Sequence, residues 1–154
     1  YAQPWTFTEL EDVFGIARAE WDVTDNVLLY AQAGARDGSE EGIYGGITVT
    51  GTDGAATGSA LFVPRTDNNE AGQAGVRAKV SVAGTTHELN AGISHIRQVN
   101  RNAFDFLGGY ATNLYDTPEV PLPGSGFVGG DLDSPFPIGR ARLTSFFLSD
   151  TIGL

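Results

Sequence analysis

The chain has 154 residues, a formal net charge of −10 and no cysteine. This length is sufficient for one domain with a core. The acidic balance excludes binding to nucleic-acid backbones, which requires a basic face, and the lack of cysteine excludes a disulfide framework, a thiol nucleophile and a thiolate metal site. No apolar run approaches the roughly 18 to 20 residues of a membrane-spanning helix, whereas a membrane β-strand needs only about 9 to 11 alternating residues.

The first two predicted strands, 12–23 and 27–37, form a hairpin. Residues 24–26, Thr-Asp-Asn, are short polar residues that favour a turn. After the turn, small apolar side chains alternate with largely polar ones along the extended chain. The apolar set is Val27, Leu29, Ala31, Ala33 and Ala35. This contrast fits a strand with lipid on one face and a wet lumen on the other.

A second hairpin is predicted from strands 70–82 and 86–99, with residues 83–85 as its turn. Its first strand has the cleanest alternation of the chain, with Val76, Ala78 and Val80 on one face. The last predicted strand is 139–153. The sequence does not decide which residues of this strand face lipid, because apolar residues fall on both of its faces. The lipid-facing residues are either Leu143 and Phe147, or Phe146, Leu148 and Ile152.

The remaining connections are two long segments, 38–69 and 100–138, both rich in glycine. We expect them to be loops, with a short hairpin inside the first around 47–50 and 61–63. Minimal turns and long loops therefore alternate strictly along the chain. This order is typical of outer-membrane barrels, which have tight periplasmic turns and long extracellular loops. A β-sandwich also alternates faces, but nothing in its architecture sorts its connections by length.

Four stretches resemble a known family when they are taken in order. They are AEWDVTDNVLLYAQAGARDG, GQAGVRAKVSVAGTTHELNAGISH, NLYDTPEVPLP and LTSFFLSDTIGL. Their succession resembles consecutive strands of the TonB-dependent outer-membrane receptors, in the siderophore-receptor branch. The resemblance implies an all-β fold of antiparallel up-and-down strands, about five of the roughly 22 in such a transmembrane β-barrel, with long extracellular loops. We expect residues 1–154 to form one partial barrel domain of a longer protein, with the plug domain absent.

The resemblance also implies a function, which is energy-coupled transport of ferric siderophores across the bacterial outer membrane. It implies no enzymatic activity and no cofactor, since the ferric siderophore is the transported ligand. The implied partners are the siderophore, outer-membrane lipid and the TonB energy-coupling complex, which would act through the missing plug. Two alternatives stay open, a soluble or surface-attached β-rich binding or adhesin module and a passive porin.

The second long loop contains the predicted ligand-binding residues. Flat amphipathic rings and guanidinium groups suit anionic iron chelates through stacking and charge-assisted hydrogen bonds. The predicted contacts are Arg101, Phe104, Phe106, Tyr110 and Tyr115. The alternative for each ring is that it packs the loop onto itself.

Other polar residues are assigned structural roles. Four basic residues are expected to form a ladder on the lumen face, paired with acidic groups of neighbouring strands or of the plug. They are Arg18, Arg36, Arg77 and Lys79. His87 and His95 lie on one predicted strand about 26 Å apart, at about 3.3 Å per residue, so they cannot share an ion and no metal site is predicted. Acidic clusters at 40–41 and 131–133 lack a calcium-binding spacing and are interpreted as solvated loop charge.

Overall fold

The computed structural model of the chain describes residues 2–153, which form seven strands and no helix. The strands are β1 (Phe7–Thr24), β2 (Val27–Val49), β3 (Ala55–Val82), β4 (Thr85–Asn102), β5 (Phe104–Asn113), β6 (Ser125–Gly129) and β7 (Phe136–Gly153). The predicted all-β antiparallel fold is confirmed. Over the same residues, no helix has the length and hydropathy that crossing a membrane requires.

The strands form one sheet whose main path is β1-β2-β3-β4-β7. Sequential neighbours in this path are joined by hairpins, except that β4 and β7 are separated by β5 and β6. Strand β5 pairs antiparallel with β3 and with β6, beside the main path. The connection from β4 to β7 is therefore itself built from paired strands.

The prediction of two long loops is wrong in its boundaries. Within 38–69 only residues 50–54 lie outside strands, because β2 and β3 continue on both sides of that turn. Within 100–138 the chain contains the end of β4, all of β5 and β6, and the start of β7. The physical reason is that pairing uses backbone groups, which are the same in Gly-, Ser- and Thr-rich segments as in apolar ones.

The two tight turns have different chemistries. In the first, Thr24 Oγ1 accepts a hydrogen bond from the Asn26 amide at 3.3 Å. In the second, Ala83 and Gly84 both have positive φ, +51° and +87°. Two consecutive positive φ values are typical of a type I′ turn, whose twist matches that of the flanking strands.

The chain divides into two compact units. Unit 1 comprises residues 1–12, 38–67 and 100–138, and unit 2 comprises residues 13–37, 68–99 and 139–154. Each unit contains parts of several strands.

In unit 2, side-chain contacts determine the polar face of the sheet. Tyr30 of β2 donates a hydrogen bond across β3 to Asn90 Oδ1 of β4, at 3.0 Å. Lys79 of β3 lies 3.0 Å from Glu88 of β4. Residues directly opposite each other in antiparallel strands share a face. The even-numbered residues of β2 and β4 and the odd-numbered residues of β3 therefore form the polar face of unit 2.

The other face of unit 2 is apolar and is not covered by a second layer. It contains Val76 and Ala78, which are half-buried, and Val80, which is exposed. Within residues 2–153, all seven strands belong to one sheet, so this part of the chain supplies no second sheet that could pack on these side chains. Soluble proteins cover such a face, whereas a strand in a bilayer presents it to lipid.

Two contacts between β4 and β7 settle the orientation of the last strand. His87 Nδ1 lies 2.8 Å from Asp150 Oδ2, and His95 Nδ1 lies 2.8 Å from Thr144 Oγ1. The even-numbered residues of β7 therefore share the apolar face with the odd-numbered residues of β4. Of the two sets left open by the sequence, the one on this face is Phe146, Leu148 and Ile152.

Candidate functional site

A β-bulge in unit 1 separates the aromatic residues that the sequence predicts as one binding surface. Gly58 pairs with Tyr110 and Ala60 pairs with Leu107, so Ser59 of β3 lies opposite both Gly108 and Gly109 of β5. A bulge of this kind reverses the facing of the residues beyond it. Phe104 and Phe106 therefore lie on the opposite face of the sheet from Tyr110.

Phe104 and Phe106 form an aromatic cluster with Phe127. Phe106 pairs directly with Phe127 of β6, and Phe104 pairs with Gly129. The rings of Phe104 and Phe106 meet edge to face at 5.2 Å, and those of Phe104 and Phe127 lie 6.1 Å apart. Phe106 is 52% exposed and Phe127 is 62% exposed. In this cluster, the rings of Phe106 and Phe127 are exposed to solvent, and both contact the ring of Phe104.

Tyr110 belongs to a different, packed arrangement. Its ring lies over Gly58, where a Cβ would overlap it, and it meets the Trp5 ring edge to face at 5.9 Å. Gly58 and its β3 neighbours Ala56 and Ala60, together with Gly54 just before the strand, form a buried stripe of small residues. Small side chains on the strand leave room for the Tyr110 ring. The Tyr110 ring therefore packs on Gly58 and Trp5, both of which lie outside the segment 100–138.

The segment before β1 holds this arrangement in place. The Gln3 side chain donates to Pro118 O and accepts from the Val120 amide, both at 2.9 Å. Trp5 Nε1 donates to Val120 O at 2.9 Å. Gln3 is buried, so its amide satisfies backbone groups that would otherwise lack partners. These hydrogen bonds anchor the segment before β1 to residues 118–120.

The remaining predicted contacts lie apart from the aromatic cluster. Tyr115 is exposed beyond the end of β5, with one edge of its ring beside Gly54. Arg101 is half-buried near the end of β4. The structure therefore brings together Phe104 and Phe106 of the five predicted residues. It adds Phe127, which sequence reasoning missed because it lies in a glycine-rich tract between prolines.

The charged groups of unit 1 are mostly carboxylates. Arg65 lies 2.9 Å from Asp67 and 3.6 Å from Glu40, and the Asp67 carboxylate, which hydrogen-bonds the guanidinium, raises the pKa of Arg65. Tyr44 donates a hydrogen bond to Glu40. This bond raises the pKa of the Tyr44 hydroxyl, because the phenolate would lose it and face the carboxylate.

On the polar face of unit 2, the predicted basic ladder is centred on a tyrosine. The Arg18 and Arg77 guanidinium carbons lie 5.8 and 5.1 Å from the Tyr30 ring centroid, within the range of cation–π attraction. Arg18 also pairs with Glu20 on its own strand, and Lys79 pairs with Glu88, as noted above. Tyr30 is only 5% exposed. These basic residues therefore pair with an aromatic ring and carboxylates of the same and neighbouring strands.

The two histidines have hydrogen-bond partners on β7 and do not meet each other. Across residues 2–153, no three side chains of histidine, aspartate or glutamate come together in a group able to hold a metal ion.

Comparisons with known proteins show which proteins the chain is similar to. No family model matches it, but it is similar in sequence to a segment of one siderophore receptor and in fold to a segment of another. Receptors of this class lie in the bacterial outer membrane, and they are transporters and not enzymes. The comparisons do not favour the alternatives of an adhesin module or a passive porin.

The relatives are two named receptors. Over 154 residues the chain is 32% identical to the ferrichrome receptor FcuA of Yersinia enterocolitica, which is all of this chain and 20% of that protein. Its fold matches that of BauA, the ferric preacinetobactin receptor of Acinetobacter baumannii, with a TM-score of 0.76 and 21% identity. That match covers 96% of this chain and 22% of BauA. The chain thus spans about a fifth of the length of these relatives.

Proposed function

We propose that the protein containing this chain takes up ferric siderophores through the outer membrane, with energy supplied by the TonB complex through a plug domain. Unit 2 contributes strands to the wall of a closed barrel of about 22 strands. The observation that carries this proposal is the division of unit 2 into an uncovered apolar face and a polar face centred on Tyr30. This two-faced sheet is what a wall between lipid and an aqueous lumen requires.

In this proposal, unit 1 contacts the ligand outside the membrane. The aromatic cluster of Phe104, Phe106 and Phe127 is the primary contact, since it presents exposed rings to which a chelate can stack. Tyr115 is a second, separate contact. Arg101 and Tyr110 are partly buried, so their proposed part is smaller, and Tyr110 acts mainly by positioning the segment that Trp5 and Gln3 anchor.

The test uses the full-length receptor in cells that lack their other siderophore receptors. Uptake of radioactive iron supplied as a ferric siderophore should require the receptor and should stop when a protonophore removes the proton-motive force. Replacing Phe106 and Phe127 by alanine should weaken ligand binding about tenfold or more, given about 0.5 to 1.5 kcal/mol for each aromatic contact beyond its buried area. The matched control is Phe136→Ala, an exposed ring outside the cluster.

Two outcomes contradict the proposal. Iron uptake that persists without the proton-motive force would indicate passive diffusion and a porin. Wild-type binding of the siderophore by the Phe106→Ala/Phe127→Ala receptor would exclude the aromatic cluster from the ligand site, while uptake itself would continue to support the receptor function.

A further inference from the structure

The net charge of the chain is confined to one of its two units. Unit 1 has twelve acidic residues and two basic ones, a net charge of −10, whereas unit 2 has seven of each and is neutral. The total of −10 therefore arises entirely in the unit that is proposed to meet the ligand. Summed charge of this kind produces a potential that selects ligands by sign.

The two basic residues of unit 1 do not offset this charge. Arg65 is held by Asp67 and Glu40, and Arg101 is half-buried and engaged in an interaction of its own. Neither of them therefore presents an unpaired guanidinium to an anionic ligand. This differs from anion-binding sites, in which arginine or lysine side chains face the ligand.

The carboxylates of unit 1 also converge at one place. A cavity of about 610 Å³ is lined by Glu9, Glu11, Glu40, Glu41 and Asp133, with Arg65 as its one basic residue. Glu9, Glu11 and Glu41 are exposed. They form no ion pair with a side chain of residues 2–153. Their negative charges are therefore not neutralised within this part of the chain, and they attract or repel a charged ligand that approaches the cavity.

We infer that the receptor takes up ferric chelates that are uncharged or cationic, and that it discriminates against anionic ones, in contrast to the anionic chelates expected from the rings and guanidinium groups of the sequence. This inference rests on the proposed function. A ferric tris-hydroxamate is neutral, because three singly charged groups balance the iron, and a hydroxamate chelator with a free amine makes it cationic. A ferric tris-catecholate keeps three negative charges and is repelled by unit 1. Repulsion acts mainly within a Debye length, about 8 to 10 Å at physiological salt.

The test measures binding to the purified full-length receptor at low and at high salt. The probes are an uncharged ferric tris-hydroxamate, a cationic tris-hydroxamate with a free amine, and a ferric tris-catecholate. We expect the first two to bind at least tenfold more tightly than the catecholate. Added salt should weaken binding of the cationic chelate and leave that of the neutral one almost unchanged.

A variant with fewer carboxylates tests whether the charge of unit 1 causes the selectivity between the chelates. Glu11→Gln/Glu41→Gln removes two charges at the cavity and should strengthen catecholate binding several-fold at low salt, without an effect on the neutral chelate. The control, Asp22→Asn/Asp25→Asn, removes two charges from exposed positions of unit 2 and should leave all three affinities unchanged.

The outcomes separate this inference from the proposed function. Tightest binding of the catecholate would overturn the inference and leave the siderophore-receptor function standing. Equal catecholate binding by the Glu11→Gln/Glu41→Gln receptor and the native one would also overturn it, since unit 1 would not be the source of selection. If a folded receptor binds none of the three chelates and supports no iron uptake, the proposed function itself fails.

Discussion

Tyr30 lies directly over Gly75 on the polar face of unit 2. A Cβ added to Gly75 would lie 2.5 Å from the Tyr30 hydroxyl oxygen and 2.6 Å from the Ala91 carbonyl oxygen. The glycine therefore makes room for a ring that reaches across β3 to Asn90. Aromatic side chains that cover glycines shield the exposed backbone of a strand and fix its register.

The close approach predicts a large effect of a single methyl group. Gly75→Ala should destabilise the receptor by about 1 to 3 kcal/mol, the usual cost of overpacking, because the Tyr30 ring or the strand must shift. The measurement is the free energy of unfolding in urea in lipid or detergent. The control is Gly15→Ala, since a Cβ there meets no atom within 4 Å; equal effects of the two changes would contradict the packing account.

The turn between β3 and β4 predicts a stabilising substitution. Ala83 has a φ of +51°, a left-handed conformation that costs most residues roughly 1 to 2 kcal/mol and that asparagine tolerates. Ala83→Asn should therefore raise the free energy of unfolding by up to about 1 kcal/mol, whereas Ala83→Val should lower it. Urea unfolding of both variants checks the sign, and a stabilising valine would show that φ is not positive at this position.

The anchor formed by Gln3 predicts a local effect. Gln3→Ala removes a donor and an acceptor from the backbone of residues 118–120, at a cost of about 1 to 3 kcal/mol for each group left unsatisfied. Hydrogen exchange of the Val120 amide should accelerate strongly, while exchange in unit 2 should not change. Glu119→Gln, an exposed change in the same segment, is the control, and unchanged protection of Val120 in Gln3→Ala would exclude the anchor.

The contact of Tyr44 with Glu40 predicts a pH dependence. The folded-state pKa of Tyr44 lies above that of an unfolded tyrosine, so the stabilisation from this bond is complete below the ordinary tyrosine value. It is lost as the pH rises through the folded-state pKa. Glu40→Gln should lower the pKa of Tyr44 towards its ordinary value, as measured by NMR of a labelled Tyr44 ring. A pKa that stays raised in Glu40→Gln would assign the shift to another cause.

The sequence predicted the two faces of a strand best where its side chains alternate in polarity. Val76, Ala78 and Val80 alternate with Gly75, Arg77 and Lys79 in β3, and the structure shows two distinct faces there. The faces of β7 could not be chosen, because both carry aromatic and apolar residues. Only the cross-strand contacts of His87 and His95 with Asp150 and Thr144 settle them.

The strands and the aromatic groups of unit 1 were the least predictable from the sequence. The buried stripe of Gly54, Ala56, Gly58 and Ala60 alternates small residues with Thr57 and Ser59, so its hydrophobic signal is too weak to indicate a strand. The bulge lies at Gly108 and Gly109 of β5, and a glycine pair does not by itself indicate the pairing that sends Tyr110 to the face opposite Phe106. For this reason the predicted aromatic residues could not be recognised as two separate groups.

The central claim is that unit 2 faces lipid on one side and an aqueous lumen on the other. The chain has no cysteine, so a single cysteine placed at Val76, Arg77, Ala78 or Lys79 of the full-length receptor can carry a spin label. In lipid vesicles, we predict that labels at Val76 and Ala78 are relaxed mainly by oxygen, which dissolves in the bilayer, and those at Arg77 and Lys79 mainly by a water-soluble nickel complex. Equal accessibility of all four labels to the nickel complex would contradict the account.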